Sequence, residues 1–246
     1  MVKMTNRMQP LHNPTNSADM NVQTLQLGDM KNLVYLIEDA VTQRIAVIDP
    51  AWDVQAILNA AGDAVISDIL VSHWHEDHTN GINELVAATG ANVHLLQQEA
   101  DFWDVKEDTP ACLHTDGNTV QLGSLNIQLL HTPGHSPGSA CFYTGDSLFT
   151  GDTLFIYGCG RCDLPGGDAR AMYHSLQRLV TTLADSTTLY PGHDYADIRV
   201  SNLAEQKQFN PFLHHDNADA FIAFRNEHNN HRHPPYQPVR RGEPAW

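Results

Sequence analysis

The chain has 246 residues, 14 Lys+Arg against 29 Asp+Glu, a formal net charge of −15 and 41% hydrophobic residues. That apolar content supports a real core and excludes wholesale disorder, and the acidic balance excludes a general nucleic-acid binder, which needs a basic footprint. The 15 His outnumber the 14 basic side chains, and four Cys are too few for a disulfide framework at this length.

Residues 1–20 are polar and lack the continuous apolar run of a secretory signal. No stretch approaches the roughly 18 apolar residues of a membrane span. The expectation is a cytoplasmic protein with Cys112, Cys141, Cys159 and Cys162 reduced. Segments 22–27 and 32–38 read as strands around a Gly28-Asp29 turn, and 44–48 as a β-branched strand ending at Asp49-Pro50. Segment 53–61 reads as a helix with Asp53 as N-cap and Gly62 just past its end. An apolar run at 69–72, a helix at 81–89 and a strand at 92–95 follow. Segments 125–130, 139–144 and 147–150 read as strands between Gly turns. Over 168–183, Met172, Leu176, Leu179, Val180 and Leu183 follow helical spacing. Segment 187–190 is the last strand. From about Ser201 the composition shifts to Asn, His and Gln, with helical patches at 201–208 and 218–227 and a Pro-rich irregular end over 233–246. The expected organisation is a polar tail (1–20), an α/β domain (21–198) and a small helical and irregular appendage (199–246).

The densest chemistry is Ser72-His73-Trp74-His75-Glu76-Asp77-His78, directly after an apolar run. On a helix, two His at i and i+2 would point nearly opposite ways, so a loop at a strand end is expected. Such a loop can converge two imidazoles on one ion and send Asp77 and His78 to a second. Imidazole with carboxylate suits zinc, iron or manganese. Three His and an Asp within six residues weigh against a merely polar surface loop. The same pattern, apolar strand then Gly turn then ligand-type residue, recurs in Leu130-His131-Thr132-Pro133-Gly134-His135, Thr150-Gly151-Asp152 and Tyr190-Pro191-Gly192-His193-Asp194. Strand ends are where α/β sheets build sites. Gly145-Asp146-Ser147-Leu148-Phe149 and Gly151-Asp152-Thr153-Leu154-Phe155 are near-copies, so spacing leaves open which Asp faces a metal.

In this order the residues resemble the metallo-β-lactamase superfamily, whose signature is His-x-His-x-Asp-His followed by separate His, Asp and His. The resemblance runs from about Val22 to Asp197. Phe149-Thr150-Gly151-Asp152-Thr153-Leu154-Phe155, Gly158-Cys159-Gly160-Arg161, Pro191-Gly192-His193-Asp194-Tyr195 and Asn210-Pro211-Phe212 look like its glyoxalase II branch, the hydroxyacylglutathione hydrolases. The resemblance implies an αββα sandwich with two divalent ions at one edge. His73, His75 and His135 would hold the first ion, Asp77, His78 and His193 the second, and Asp152 both. Asp146 then reads as a turn residue and His131 as structural. Two ions lower the pKa of a shared water to about 7 and supply a hydroxide. Asp77 and Asp152 are the catalytic carboxylates beside it, acting as ligands rather than proton shuttles. The implied substrate is a small thiol-derived molecule, an S-acylglutathione thioester, contacted by Arg161, Tyr195, Arg225 and His228. His228 stands where the family usually has Lys, and Asp163 where it often has Tyr.

Gly160-Arg161-Cys162-Asp163 and the Tyr190-to-Tyr195 segment also resemble the superfamily's persulfide dioxygenases. These use a single iron, held by the counterparts of His73, His135 and Asp152, on glutathione persulfide. Asp163 favours that alternative; Asn210-Pro211-Phe212 with Arg225 favours the hydrolase. A lactone or ester hydrolase is a third option. Cys159-Gly160-Arg161-Cys162 lacks a thioredoxin-like strand-then-helix setting and reads as a tight loop. His214, His215, His228, His231 and His233 read as a solvated appendage. No nucleic-acid or membrane partner is expected, and a homo-oligomer is compatible with the sequence.

Overall fold

The computed structural model describes residues 20–103, 110–227 and 234–244. The first sheet runs β1 (Met20–Leu27), β2 (Asn32–Asp39), β3 (Arg44–Ile48), β4 (Val65–Leu70), β5 (Asn92–Leu96) and β6 (Ala111–His114), in that order. β1, β2 and β3 pair antiparallel, and β3 to β6 pair parallel. Parallel neighbours need crossovers. Helices α1 (Val54–Ala61), α2 (Glu76–Thr79), α3 (Ile82–Thr89) and α4 (Gln97–Trp103) lie in them. Asp53 caps α1 as expected, accepting from the Ala56 amide at 2.9 Å.

The second sheet contains β7 (Thr119–Leu122), β8 (Leu125–His131), β9 (Ala140–Tyr143) and β10 (Ser147–Gly151). A ribbon of β11 (Leu154–Phe155) and β12 (Gly158–Cys159) follows, then helix α5 (Ala169–Thr182). β13 (Thr188–Pro191) returns parallel to β10, and β14 (Ser201–Asn202) closes the edge. Helix α6 (Leu203–Phe209), a 3-10 turn over Pro211–Leu213 and helix α7 (Ala218–Glu227) end the described elements.

Three apolar clusters separate four layers. Val34, Val47, Ile57, Ile69 and Leu85 pack the first sheet under α1 and α3. Tyr35, Ile37, Ile48, Ile127, Phe142 and Phe149 fill the space between the sheets. Met172, Leu176 and Leu179 of α5 pack on Leu130, Cys141 and Leu189 of the second sheet, joined by Phe212 and Phe221. This is the αββα sandwich that the resemblance implied. β2 shows no alternation because both its faces are buried in different clusters.

Several segments depart from the sequence reading. Residues 76–79 turn into the short helix α2, and only 71–75 stay non-helical, so the His-rich segment is half loop and half helix. His73 and His75 are in the loop half, as their i, i+2 spacing demands, while Asp77 and His78 ride on the helical turn. Helix α4 and strands β6 and β7 had no reading. Their polar or mixed composition carries no period, and their order comes from tertiary packing rather than propensity. His228, His231 and His233 lie outside the described residues, as do 1–19.

One polar clamp ties the two sheets together. Asp39, at the end of β2, accepts from the Ser124 amide at 3.0 Å and the Ser124 hydroxyl at 2.6 Å. It also accepts from the Thr42 amide and hydroxyl. Gly123, at φ +58°, leaves room for it, since a Cβ there would sit 2.0 Å from Asp39 Oδ2. Burial pushes the Asp39 carboxyl up, but the four donors outweigh it and bring it from 3.8 to about 2. A depressed folded-state pKa stabilises above the unfolded value, and that stabilisation fades as pH falls from about 4 to about 2. At about 1.4 kcal/mol per unit, and with solvent screening reducing the effect, the clamp contributes roughly 1 kcal/mol at neutral pH. Denaturant melts of Asp39→Ala are expected to show that deficit at pH 7, and the gap to the parent protein should narrow below pH ~4.

Candidate metal centre

Five chain segments end at one edge of the sandwich. They are the loop after β4 continuing into α2, the loop after β8, and the ends of β3, β10 and β13. The Gly turns noted in the sequence have a packing reason there. Gly151 holds φ +45° and its Cβ would meet Ser72 Oγ at 2.5 Å; a Cβ on Gly192 would meet Asp152 Oδ1 at 2.6 Å. The backbone is pressed against the site, and only glycine fits.

All seven expected ligand residues converge. His73, His75 and His135 offer one group of donor atoms within 4.8 Å of each other, and Asp77, His78 and His193 offer a second. His75 Nδ1 stands 2.9 Å from His135 Nε2, and His78 Nε2 3.2 Å from His193 Nε2. Asp152 touches both groups: Oδ2 is 3.5 Å from His135 Nε2 and 3.4 Å from His193 Nε2, and Oδ1 is 3.4 Å from His78 Nε2. Asp146 instead takes the Ser147 hydroxyl within its own turn. The near-copies are thus separated by position, and Asp152 faces the centre. His131 Nε2 is 2.8 Å from the Pro137 carbonyl, a structural contact.

The surrounding polar groups set which nitrogen of each ring faces inward. His193 Nδ1 is 2.9 Å from the Met30 carbonyl, and His135 Nδ1 is 2.8 Å from the Arg161 carbonyl. Carbonyls only accept, so these Nδ1 atoms carry the hydrogen and Nε2 presents a lone pair inward. His78 Nδ1 lies 3.0 Å from Asp49 Oδ2. Ser72 Oγ donates to the same Asp49 oxygen and lies 2.9 Å from His73 Nδ1, so His73 donates to Ser72. Asn32 Nδ2 donates to Asp77 Oδ2 at 2.9 Å, and its Oδ1 accepts from Trp52 Nε1 at 3.0 Å. Outer contacts of this kind fix tautomer and orientation in metal sites.

This donor set fits cations. His73 Nε2 and Asp152 Oδ1 are buried without a hydrogen-bond partner. Burial, reinforced by the neighbouring imidazoles, holds His73 well below the ordinary histidine range. Burial and His135 bring His75 to about 4, and burial also lowers His135, so all three are neutral imidazoles at pH 7. Burial would raise Asp152, but His193 and His78 outweigh it and hold the carboxyl well below its usual range. Burial would lower His78, yet Asp152, Asp49 and Asp77 raise it to about 9. Asp49, Asp77 and Asp152 thus concentrate negative charge around His78, where a cation's charge would balance it.

Two functional supports were missed in the sequence. Asp49 accepts from the Ser72 amide as well as from Ser72 Oγ and His78. Its signal was partial: Asp49 follows an apolar strand but lacks the glycine turn of the other segments. Glu99 is fully buried and accepts from the Trp74 amide, the Ser136 hydroxyl and the Gly138 amide, tying the two histidine loops together. A lone Glu in an unperiodic polar segment carries no such signal.

The centre forms the floor of a cleft of about 600 Å³, walled by Trp74, Phe155, Arg161, Tyr195, Arg225 and Tyr236 among others. Tyr195 stacks on His193 with ring centroids 4.7 Å apart. Arg225 is buried, its guanidinium 5.2 Å from the Phe212 ring centroid. Arg161 makes a two-pronged pair with Asp163, both contacts 2.7 Å. His228 lies outside the described residues. Cys159 lines the cleft, and neither it nor Cys162 forms a disulfide. Among the described residues no helix is long and apolar enough to cross a membrane.

An αββα sandwich with five imidazoles and two carboxylates gathered at one edge defines a metal-binding class of α/β proteins. The family description "Metallo-beta-lactamase superfamily" matches residues 27–193, and the chain belongs to that superfamily. It is similar to the probable polyketide biosynthesis zinc-dependent hydrolase PksB of Bacillus subtilis, at 31% identity over 200 residues, 80% of this chain and 88% of that protein. It is 38% identical to a hydroxyacylglutathione hydrolase of Pseudomonas entomophila over 188 residues, 73% of this chain and 67% of that one. Among solved structures, ETHE1 from Myxococcus xanthus superposes with a TM-score of 0.77 at 33% identity, over 87% of this chain and 93% of that one. TTHA1623, solved in a di-iron-bound form, superposes with a TM-score of 0.67 at 32% identity, over 78% of this chain and 100% of that one.

Proposed function

We propose that the protein is a metal-dependent hydrolase of a thioester, with an S-acylglutathione as its substrate. One observation carries this reading: two adjoining donor groups share Asp152 on the floor of a cleft whose wall holds Arg161 and Arg225. His73, His75 and His135 would hold one divalent ion, Asp77, His78 and His193 a second, and Asp152 both. Imidazole and carboxylate accept zinc, iron and manganese alike. Such a pair supplies a hydroxide at neutral pH and polarises a carbonyl.

The chain's own groups do the positioning. Glutathione carries two carboxylates, and in a protein of net charge −15 they need local cations. Arg161 and Arg225 face the cleft and would anchor them, and the Tyr195 hydroxyl is a further donor. Phe155, Phe212 and Tyr236 present apolar surface that keeps bulk water from the thioester. The leaving thiol has an ordinary pKa of about 8.5, so it departs as thiolate and no general acid is required.

A second reading is a mononuclear iron persulfide dioxygenase acting on glutathione persulfide. One residue favours it: Asp163, held by Arg161 through two 2.7 Å contacts, stands where the hydroxyacylglutathione hydrolases often have Tyr. The purified protein separates the two readings when offered S-lactoylglutathione and, in a parallel reaction, glutathione persulfide under oxygen. Thiol release from the thioester is expected. Oxygen uptake with one iron per chain and no thioester cleavage would overturn the hydrolase.

A further inference from the structure

Five of the 15 histidines meet on the cleft floor. Two others meet on the first sheet, and none of the residues around them lines the cleft. His94 of β5 pairs in register with Leu70 of β4 and Cys112 of β6, and His114 pairs with Leu96. Leu70 and Leu96 belong to the cluster between the sheets, so His94, Cys112 and His114 share the inward-turned face. The pair is reachable from solvent, because His114 is only partly buried and Cys112 is exposed.

His94 Nδ1 and His114 Nε2 are 2.9 Å apart. On the other side of the His94 ring, Nε2 lies 2.9 Å from Asp68 Oδ1, while the Ser67 hydroxyl donates to Asp68 Oδ2 at 2.6 Å. Asp68 therefore acts as acceptor on both oxygens. His94 Nε2 carries the hydrogen, which leaves the Nδ1 lone pair aimed at His114. A carboxylate on the far nitrogen is the arrangement that metal-bound imidazoles use to fix their tautomer. The separation of the two facing nitrogens equals that of His75 and His135 on the cleft floor, also 2.9 Å.

We propose that His94 and His114 form a second transition-metal site, oriented by Asp68, that takes a borderline divalent ion such as Zn²⁺ or Cu²⁺. The ion takes the place of the hydrogen between the two facing nitrogens, and that proton passes through solvent to His114 Nδ1, so that both rings bind as neutral imidazoles. Metal–nitrogen bonds of about 2.0–2.1 Å in tetrahedral geometry set two nitrogens roughly 3.3 Å apart. The rings need to part by only a few tenths of an ångström, which the partly exposed His114 can supply. The two imidazoles are the protein donors, and water completes the shell.

The experiment uses the full chain with its resident metal in place, titrated with Cu²⁺ and followed by calorimetry and electron paramagnetic resonance. The parent protein is expected to bind one copper beyond the resident metal, with hyperfine coupling from two imidazole nitrogens. His114→Ala is expected to bind that copper at least tenfold more weakly, with resident metal and thioester turnover unchanged. His94→Gln should behave alike. Equal copper affinity in the parent and His114→Ala would overturn the site. So would a spectrum of the parent protein without two-nitrogen coupling, a result that does not depend on any variant folding.

Discussion

His75→Ala is expected to lose bound metal and turnover while keeping the fold. His75 sits in the non-helical half of the histidine segment, only half-buried, and belongs to none of the apolar clusters. Its Nδ1 faces His135 Nε2 across 2.9 Å, where no other side chain can replace it. Deleting it leaves His73, His135 and Asp152 to hold the first ion. Elemental analysis should show metal content falling by about one ion per chain, with far-UV circular dichroism unchanged. Thioester turnover should fall by at least about a thousandfold, a barrier increase of roughly 4 kcal/mol. Unchanged metal content in this variant would refute the assignment of His75 as a ligand.

Asp49→Asn tests the support behind the second ion. The substitution keeps shape, and Asn tolerates the left-handed backbone of this position, φ +51°. It cannot keep the chemistry. Asp49 receives hydrogens from the Ser72 amide, the Ser72 hydroxyl and His78 Nδ1. An amide offers one accepting oxygen, so its NH₂ must confront at least one of these donors. His78 then loses the partner that turns its Nε2 inward, and Ser72 loses its hold on His73. Competition with a chelator should show metal affinity weakened by about 10–100-fold. Melts should show a stability cost of about 1–3 kcal/mol, the range for a buried group left unpaired. Metal affinity equal to that of the parent would mean that Asp49 does not position the centre.

Local order was legible where one residue has one job. Asp53 caps α1, and Met172, Leu176 and Leu179 pack inward from α5, because capping and helical periodicity are properties of short sequence. The clustered donors of the His-rich segment were legible for the same reason, since His73, His75, Asp77 and His78 are chemically distinctive and close together in sequence. Helix α4 was not, because its polar residues Gln97, Glu99 and Asp101 leave no apolar stripe to read. Glu99 acts only through the Trp74, Ser136 and Gly138 groups that the fold brings to it.

The order of residues alone supplied the available chemistry: five imidazoles and two carboxylates, all following strands and three of them directly after a glycine. Packing settles which of these groups come together. Asp146 and Asp152 have nearly the same neighbours in sequence. The parallel pairing of β10 with β13, and the Gly192 amide donating to the Gly151 carbonyl at 2.8 Å, carry Asp152 to the centre and leave Asp146 in a turn. The His94–His114 pair was invisible for the same reason. Twenty positions separate the two residues in the chain, and only strand register sets their nitrogens 2.9 Å apart. Coordination and hydrogen bonding depend on distances of a few ångströms, and between remote residues those distances are products of packing, not of order along the chain.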